Sequence, residues 1–240
     1  MEKYNAMKDW DIAQEKLKSL GERKLPTGWS VWDDWFGGFV KGTLQLVAAP
    51  TGHGKTTFLL AMAKKAVRQG YKVLYIGTEQ PAEIIIARLG EPLDIDVCYK
   101  VSNDTLSDCI GDDTYDIIIY DYLGAEASAI VGKEEWRVLR DQADELSNYA
   151  IERNTCILTA AQADVGALAM KPGSSPNDCI PNNGSAVSFA KHIVDKISAG
   201  AYLVKLYEGC VAMKVMKNRY GKSDDNVRLI RLDYENTEVN

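Results

Sequence analysis

The sequence predicts an α/β protein with a mostly parallel central sheet flanked by helices and an antiparallel C-terminal extension. Two observations carry this prediction. From Trp29 onward, apolar runs of strand length alternate with segments of helical period, an order typical of a parallel sheet. Near the C-terminal end, two strand-like runs are separated only by Glu208 and Gly209, which indicates a hairpin and therefore antiparallel pairing.

The composition fits one domain with an acidic balance. A chain of 240 residues that is 46% hydrophobic can bury one substantial core. The net charge of −6 counts against a dedicated DNA binder built on a basic patch, but not against a charged channel inside an oligomer. There is no signal-peptide pattern and no long apolar stretch, so we expect a cytoplasmic protein without membrane contact.

The cysteines predict reduced thiols. They are five in number, scattered, and show none of the spacings of a metal site. Only His53 and His192 could complete a zinc site, which makes such a site improbable.

The first 24 residues form a separate unit by their pattern. Apolar residues recur there at spacings of three and four, which predicts an amphipathic helix with Gly21 as its stop. These residues are Met7, Trp10, Ala13, Leu17 and Leu20. Residues 24–28 are interpreted as a linker, so the predicted units are a helix over 1–24 and a domain over 25–240.

The remaining elements follow in order along the chain. Short apolar or alternating runs predict strands over 44–49, 71–77, 116–121, 155–160, 201–206, 210–216 and 227–232. Helical periodicity predicts helices over 57–67, 81–89, 136–150 and near 185–197. Residues 163–184 hold three glycines and three prolines and are predicted to be loop.

The most informative stretch is 49–56, between the first of these strands and the first helix. Gly52 and Gly54 allow backbone N–H groups to approach a polyphosphate closely, and the helix N-terminus adds its dipole. Lys55 is expected to meet the β- and γ-phosphates, and Thr56 to hold Mg²⁺. We therefore predict a phosphate-binding loop formed by Pro50, Thr51, Gly52, His53, Gly54, Lys55, Thr56 and Thr57.

Two acids stand at strand ends, where ligands of parallel sheets bind. Asp121 ends the strand over 116–121, and its position suits Mg²⁺ coordination; the alternative is a turn aspartate. Glu79 follows the strand over 71–77 and could activate the attacking water. On pattern alone, it could equally be an acid near the N-terminus of the next helix.

A series of motifs in one order makes the chain recognisable. They are Leu25–Gly28, Gly37–Gly42, the loop ending at Thr56, Glu79, Arg88-Leu89, Tyr120–Leu123, Gln162 and Lys217–Gly221. This order resembles the C-terminal ATPase domain of DnaB-type hexameric replicative helicases, including phage helicases, over about residues 25–235. The resemblance implies a RecA-like P-loop NTPase fold. Asp121-Tyr-Leu and Lys217-Asn-Arg-x-Gly are its most discriminating parts.

The resemblance also implies a role for each matched residue. Glu79 would be the catalytic base and Asp121 the Mg²⁺-associated acid. Gln162, at the end of the fourth predicted strand, would sense the γ-phosphate. Arg219 would be an arginine finger that reaches the nucleotide of a neighbouring subunit, with Lys217 as its companion. Without the resemblance, solvated charge at a hairpin edge would be the favoured interpretation of these two cations.

The function implied is an ATP-dependent (or dTTP-dependent), Mg²⁺-using, ring-forming helicase that translocates on single-stranded DNA in DNA replication. A homo-hexamer is implied, with primase, a loader or a polymerase as candidate partners, in the host cytoplasm if the chain is phage-encoded. Segments expected to face DNA are 124–135, 163–184 and 205–209, whose basic residues are Lys133, Lys171 and Lys205. For each, a plain surface loop is the alternative.

Several points depart from the family pattern. No primase or collar domain precedes residue 25, so we expect loading and priming to come from elsewhere. The N-terminal helix resembles a linker that docks on the adjacent subunit, although packing on its own domain is an equal alternative. Trp32 stands where leucine is usual, and with Trp29 and Trp35 it is interpreted as core or interface packing.

Two other functions share this core. One is a recombinase-like filament ATPase that uses DNA binding for strand pairing. Lys217-x-Arg219 and the lack of a basic accessory domain argue against it. The other is a nucleotide-switched regulator without motor activity, against which Glu79 and Asp121 weigh.

Overall fold

The computed structural model describes residues 5–101, 104–124, 135–169, 174–181, 183–187, 193–207, 209–221 and 224–240. The side chains of Ala13, Lys16, Leu17, Leu20 and Glu135 also lie outside this description. None of the helices in the described ranges has the length and apolar composition that a bilayer crossing demands.

The elements alternate as the sequence predicts. The helices are α1 (Trp10–Glu22), α2 (Ser30–Phe36), α3 (Lys55–Arg68), α4 (Ala82–Leu89), α5 (Leu106–Ile110), α6 (Glu135–Arg153) and α7 (Pro176–Cys179). The strands are β1 (Lys24–Leu25), β2 (Phe39–Val40), β3 (Thr43–Ala49), β4 (Val73–Gly77), β5 (Asp96–Tyr99), β6 (Ile117–Leu123), β7 (Cys156–Gln162), β8 (Ala199–Tyr207), β9 (Cys210–Asn218), β10 (Arg228–Asp233) and β11 (Glu238–Val239).

Nine of these strands form one sheet in the order β11-β10-β9-β8-β3-β7-β6-β4-β5. The pairs from β8 to β5 are parallel, whereas β8, β9, β10 and β11 pair antiparallel in sequence. The predicted fold class, a mostly parallel sheet with an antiparallel C-terminal extension, is therefore confirmed. β3 is fully buried along its length, because it lies at the centre of the sheet and is covered on both faces.

Helices cover both faces of the sheet and enclose two buried layers. One layer lies beneath α2, α3 and α4, and the other beneath α5 and α6. The predicted core role of the tryptophans is confirmed in the first layer, where Trp32 packs edge-on against Phe36 and donates to Gln45 Oε1 at 3.2 Å. Trp29 and Trp35 are buried beside it, so none of the three is free to stack on a base.

Several predicted boundaries need correction. Residues 24–28 are not simply a linker, because Lys24 and Leu25 pair with β2 in a small separate sheet. Gly21 lies inside α1, which ends one residue later at Glu22. β6 continues beyond Asp121 to Leu123, and β11 rather than the strand over 227–232 forms the sheet edge. No sequence pattern predicted α2, β2, β5 and α5, which are short and weakly periodic. The loop predicted over 163–184 also needs correction, because α7 lies within it.

Two predicted segments fall partly outside the described residues. The helix predicted near 185–197 covers residues 188–192, which are not described; a short 3₁₀ helix spans Gly184–Ala186. At the predicted hairpin, β8 and β9 pair antiparallel up to Tyr207 and Cys210, and Glu208 lies outside the description. On α1, the described side chains of Trp10 and Ile12 are exposed.

Candidate nucleotide-binding site

Four predicted site positions meet at one edge of the sheet. β3, β7, β6 and β4 are parallel neighbours, so their carboxyl ends lie side by side. The pairing places Ala49 opposite Gln162, and Gly77 opposite Asp121. The phosphate-loop segment, Glu79, Asp121 and Gln162 are thus gathered where ligands of α/β sheets bind.

The loop after β3 has the backbone that a phosphate cradle requires. Gly52 and Gly54 have φ values of 79° and 93°, in the left-handed region that favours glycine. α3 begins at Lys55, so the unpaired N–H groups of its first turn face the loop. A cavity of about 360 Å³ opens there, and its wall includes Thr51, Thr56 and Glu79.

Lys55 extends over this cavity. Its Nζ donates to the carbonyl oxygens of Ala49 at 3.2 Å and Pro50 at 3.3 Å. Burial lowers the pKa of Lys55, and the negative charges of Asp121 and Glu79 partly oppose that shift. A phosphate oxygen would be a stronger acceptor than either carbonyl, because both partners would be charged.

Asp121 is held firmly beside the start of α3. Its carboxylate accepts from the Tyr75 hydroxyl at 2.7 Å and from Thr56 Oγ1 at 3.3 Å. Burial raises the pKa of Asp121, and these two hydrogen bonds work against the shift. A hydroxyl and a carboxylate side by side are the hard oxygen donors that Mg²⁺ prefers, so these residues fit the ion.

Glu79 lies at the exposed mouth of the cavity. Burial, the charge of Glu79 and a hydrogen bond to its carboxylate raise the pKa of Tyr122 to about 12. The hydrogen bond from Tyr122 holds the Glu79 carboxylate at the cavity rim. A carboxylate in this position is suitable for orienting a water beside a terminal phosphate.

Three further side chains of the site were not given roles by the sequence analysis: Tyr75, Arg88 and Tyr234. Arg88 donates to Gln80 Oε1 at 3.1 Å and to Thr57 Oγ1 at 3.2 Å. It was recognised only as part of a motif. The aromatic rings became visible only in the fold, because nothing in their local sequence marks them.

Tyr234 reaches the cavity from the turn between β10 and β11. That turn is fixed by Lys64, whose buried Nζ donates to Asn236 O at 2.9 Å and to Leu89 O at 3.1 Å. Thr237 adds a hydrogen bond to Arg88 O at 2.9 Å. The C-terminal turn therefore forms part of the cavity wall.

Gln162 ends β7 at the site edge and is exposed. The next residue, Ala163, donates its N–H to Ala49 O at 3.0 Å. The segment that follows Gln162 is therefore tied directly to the strand that carries the phosphate loop.

Lys217 and Arg219 lie at the opposite end of the parallel strands, where β3 and β8 begin. β9 runs antiparallel to β8, and its end at Asn218 pairs with Ala199, which in turn lies opposite Gln45 near the start of β3. Four residues of strand, about 13 Å, separate that level from the phosphate loop. Lys217 Nζ donates to Val194 O at 2.5 Å, and both cations donate to Asp195 O, at 3.4 and 3.0 Å.

Of the three lysines expected near DNA, only Lys205 is described. It lies at the carboxyl end of β8, with its backbone N–H 3.1 Å from His53 Nδ1. Lys133 and Lys171 lie outside the described residues, as do residues 125–134 and 170–173 of the segments that carry them.

A glycine loop that leads into a helix beside a hydroxyl–carboxylate pair, at the carboxyl edge of a parallel sheet, is typical of nucleoside-triphosphate-binding proteins. The class can be narrowed further. Residues 24–108 match the family model of the DnaB-like helicase C-terminal domain.

Solved structures agree over the whole chain. One solved ATPase domain matches with a TM-score of 0.75 at 15% identity and covers 99% of both chains. A DnaB-like replicative helicase, described with its interactions with primase, matches with a TM-score of 0.75 at 14% identity, over 99% of this chain and 67% of that one. Together with the family match over residues 24–108, these matches show that the chain has the RecA-like fold of DnaB-like ATPase domains, the similarity that the motifs predicted.

Curated relatives match over shorter segments. The DNA repair protein RadA of Campylobacter jejuni subsp. jejuni serotype O:2 is 47% identical over 49 residues, 20% of this chain. The DNA repair and recombination protein RadB of Methanobrevibacter smithii is 38% identical over 56 residues, 23% of this chain. The matched segments span 11% and 24% of those two proteins.

Proposed function

We propose that this chain hydrolyses ATP or dTTP at boundaries between identical subunits of a hexameric ring that translocates on single-stranded DNA as a replicative helicase. One observation supports this most strongly. Lys217 and Arg219 lie at the sheet edge opposite the nucleotide cavity of their own subunit. Cations placed there can assist hydrolysis only on a nucleotide held by another copy.

Within the cavity, the backbone N–H groups of residues 50–57 bind the phosphates, and Lys55 contacts the β- and γ-phosphates. Thr56 and Asp121 hold Mg²⁺, which neutralises phosphate charge when bound. Glu79 orients the attacking water and accepts its proton. Gln162 senses the terminal phosphate and passes that state to the segment tied to β3 through Ala163.

The DNA strand is contacted by segments 124–135, 163–184 and 205–209. Residues 124–135 and 163–184 follow the carboxyl ends of β6 and β7, and residues 205–209 begin within the carboxyl end of β8, so nucleotide and DNA contacts share the same structural supports. The exposed Trp10 and Ile12 on α1 favour docking of that helix on a neighbouring subunit. Primase is a candidate partner, since a DnaB-like replicative helicase was described with its interactions with primase. A loader and a polymerase are further candidate partners, and the proposed location is the cytoplasm.

The subunit-boundary mechanism is tested by mixing two inactive variants. Lys55→Ala should lose nucleotide binding, and Arg219→Ala should bind nucleotide yet lose turnover by on the order of a thousandfold. In a mixed oligomer, intact Lys55 of one variant meets intact Arg219 of the other, so turnover should return. Arg153→Ala, an exposed arginine at the end of α6, is the control and should remain active. Mixed oligomers without turnover would contradict the mechanism.

The motor function is tested by the response to DNA. Single-stranded DNA should raise ATP turnover of the wild type, and a forked duplex should be unwound with ATP. Turnover without any response to DNA favours a nucleotide-switched regulator, and strand pairing without unwinding favours a recombinase-like filament. Either result would overturn the helicase proposal.

A further inference from the structure

His53 connects the phosphate loop to a distant part of the chain. It lies between Gly52 and Gly54, and its Nδ1 accepts a hydrogen bond from the backbone N–H of Lys205 at 3.1 Å. Lys205 is the residue where β8 begins to leave the buried sheet, at the edge that carries the nucleotide cavity. The position between the two glycines thus bears a side chain that fixes the backbone of another segment.

The hydrogen bond requires an unprotonated Nδ1, and the surroundings favour that state. Burial lowers the pKa of His53, and the positive charges of Lys55 and Lys205 lower it further. These two lysines are the charged groups that act on the imidazole. A lowered pKa keeps the ring unprotonated, and therefore an acceptor, to lower pH than an ordinary histidine.

Lys205 also approaches the loop from a second direction. Its Nζ lies 5.0 Å from the centroid of the Tyr234 ring. A Cβ added to Gly54 would lie 3.0 Å from Cε1 of that ring, so Tyr234 packs directly on the loop. Lys205 is thus linked to two adjacent residues of the loop. Its backbone contacts His53, and its side chain contacts Tyr234, which packs on Gly54.

A cavity of about 400 Å³ on the other side of the loop involves the same groups. Pro50, His53 and Lys205 line it together with Val165 and Leu168, which follow Gln162. A shift of the loop on binding a triphosphate would therefore be felt both at Lys205 and in the segment after Gln162, since packed groups move together.

We propose that His53 is a positioning residue that couples occupancy of the phosphate loop to the Lys205 segment, and thereby to single-stranded DNA. This rests on the proposed function, in which residues 205–209 contact DNA. With the loop in the position described here, the hydrogen bond fixes the position of the Lys205 backbone. A nucleotide that shifts the loop would break or reorient this hydrogen bond.

The test compares His53→Asn, whose Oδ1 can replace Nδ1 as acceptor, with His53→Leu, which has similar bulk and no acceptor. The measurement is the ratio of ATP turnover with and without saturating oligo(dT). We expect the ratio to fall about two- to tenfold in His53→Leu, the range that one lost hydrogen bond allows, and to be largely kept in His53→Asn. In the wild type the ratio should also fall on acidification, whereas in His53→Asn it should not.

Amide hydrogen exchange gives a readout independent of turnover. The Lys205 amide should exchange faster in His53→Leu than in the wild type or His53→Asn. Two results would overturn the coupling and leave the proposed function standing. One is equal exchange of the Lys205 amide in the wild type and His53→Leu; the other is a wild type that oligo(dT) stimulates no more than it stimulates His53→Leu. A wild type that oligo(dT) does not stimulate would overturn the DNA-dependent function, and the coupling with it.

Discussion

Replacing Gly54 by alanine tests how tightly the C-terminal turn packs on the phosphate loop. Gly54 has φ of 93°, and an added Cβ would lie 2.7 Å from Leu232 Cδ2 and 3.0 Å from Tyr234 Cε1. Gly70 supplies the control, because its φ is 83° and nothing lies within 4 Å of its added Cβ. Both variants strain the backbone, and only Gly54→Ala also crowds its neighbours.

The two costs can be assigned separately. The left-handed backbone costs an alanine about 1–2 kcal/mol at either position. Overpacking adds about 1–3 kcal/mol at Gly54 only, since Leu232 is fully buried and has little room to retreat. We therefore expect Gly54→Ala to lower the free energy of unfolding by about 2–5 kcal/mol, a large part of the roughly 5–15 kcal/mol of a typical domain.

Urea denaturation without nucleotide, followed by tryptophan fluorescence, measures the difference between the two variants. A second comparison isolates the contact: in a Leu232→Ala background, the penalty of Gly54→Ala should shrink by about 1 kcal/mol or more. Equal penalties at Gly54 and Gly70, or an unchanged Gly54 penalty after Leu232→Ala, would refute the packing described.

Three further outcomes follow from buried groups. Tyr75→Phe should lower the free energy of unfolding by about 1.5–3 kcal/mol at neutral pH, because it removes a hydrogen bond to the ionised Asp121. Since burial raises the pKa of Asp121, that loss should shrink as acidification protonates the carboxyl; urea denaturation at two pH values checks the sign. Lys64→Met should cost about 1–3 kcal/mol for each of the two carbonyl oxygens that it leaves without a donor, whereas Glu91 and Glu238 keep their ion pairs with Arg68. Lys72→Met, at an exposed ion pair, should have far less effect in the same denaturation assay. Burial raises the pKa of Cys156 to about 12, so iodoacetamide should leave this thiol unmodified in the native protein and label it in urea; peptide mass spectrometry that finds native labelling would contradict this.

The parts of the fold that could be predicted are those whose signal is local. β3 and α3 carry strong periodicity, and the loop between them is marked by its glycines. Glu79, Asp121 and Gln162 could be placed at one edge because parallel strands share their direction. Their roles in hydrolysis remain predictions.

The elements that were missed depend on partners far away in the chain. Lys24 and Leu25 form a strand only because Phe39 and Val40 pair with them. β5 has no fully buried residue, so its pattern lacks the apolar signal of an inner strand. Tyr234 belongs to the cavity because Lys64 and Thr237 anchor its turn to distant elements, which no local pattern reveals.

The distance between the phosphate loop and the Lys217–Arg219 pair within one subunit also bears on how many copies of the chain are needed for full activity. In the proposed mechanism, Lys217 and Arg219 act on the nucleotide of a neighbouring copy, so two copies would share only one complete site. Any open row of copies would leave one cavity at its end without cations and one pair of cations without a cavity. Head-to-tail contacts of this kind complete every site only when the row closes on itself, so ring closure and full activity should appear together.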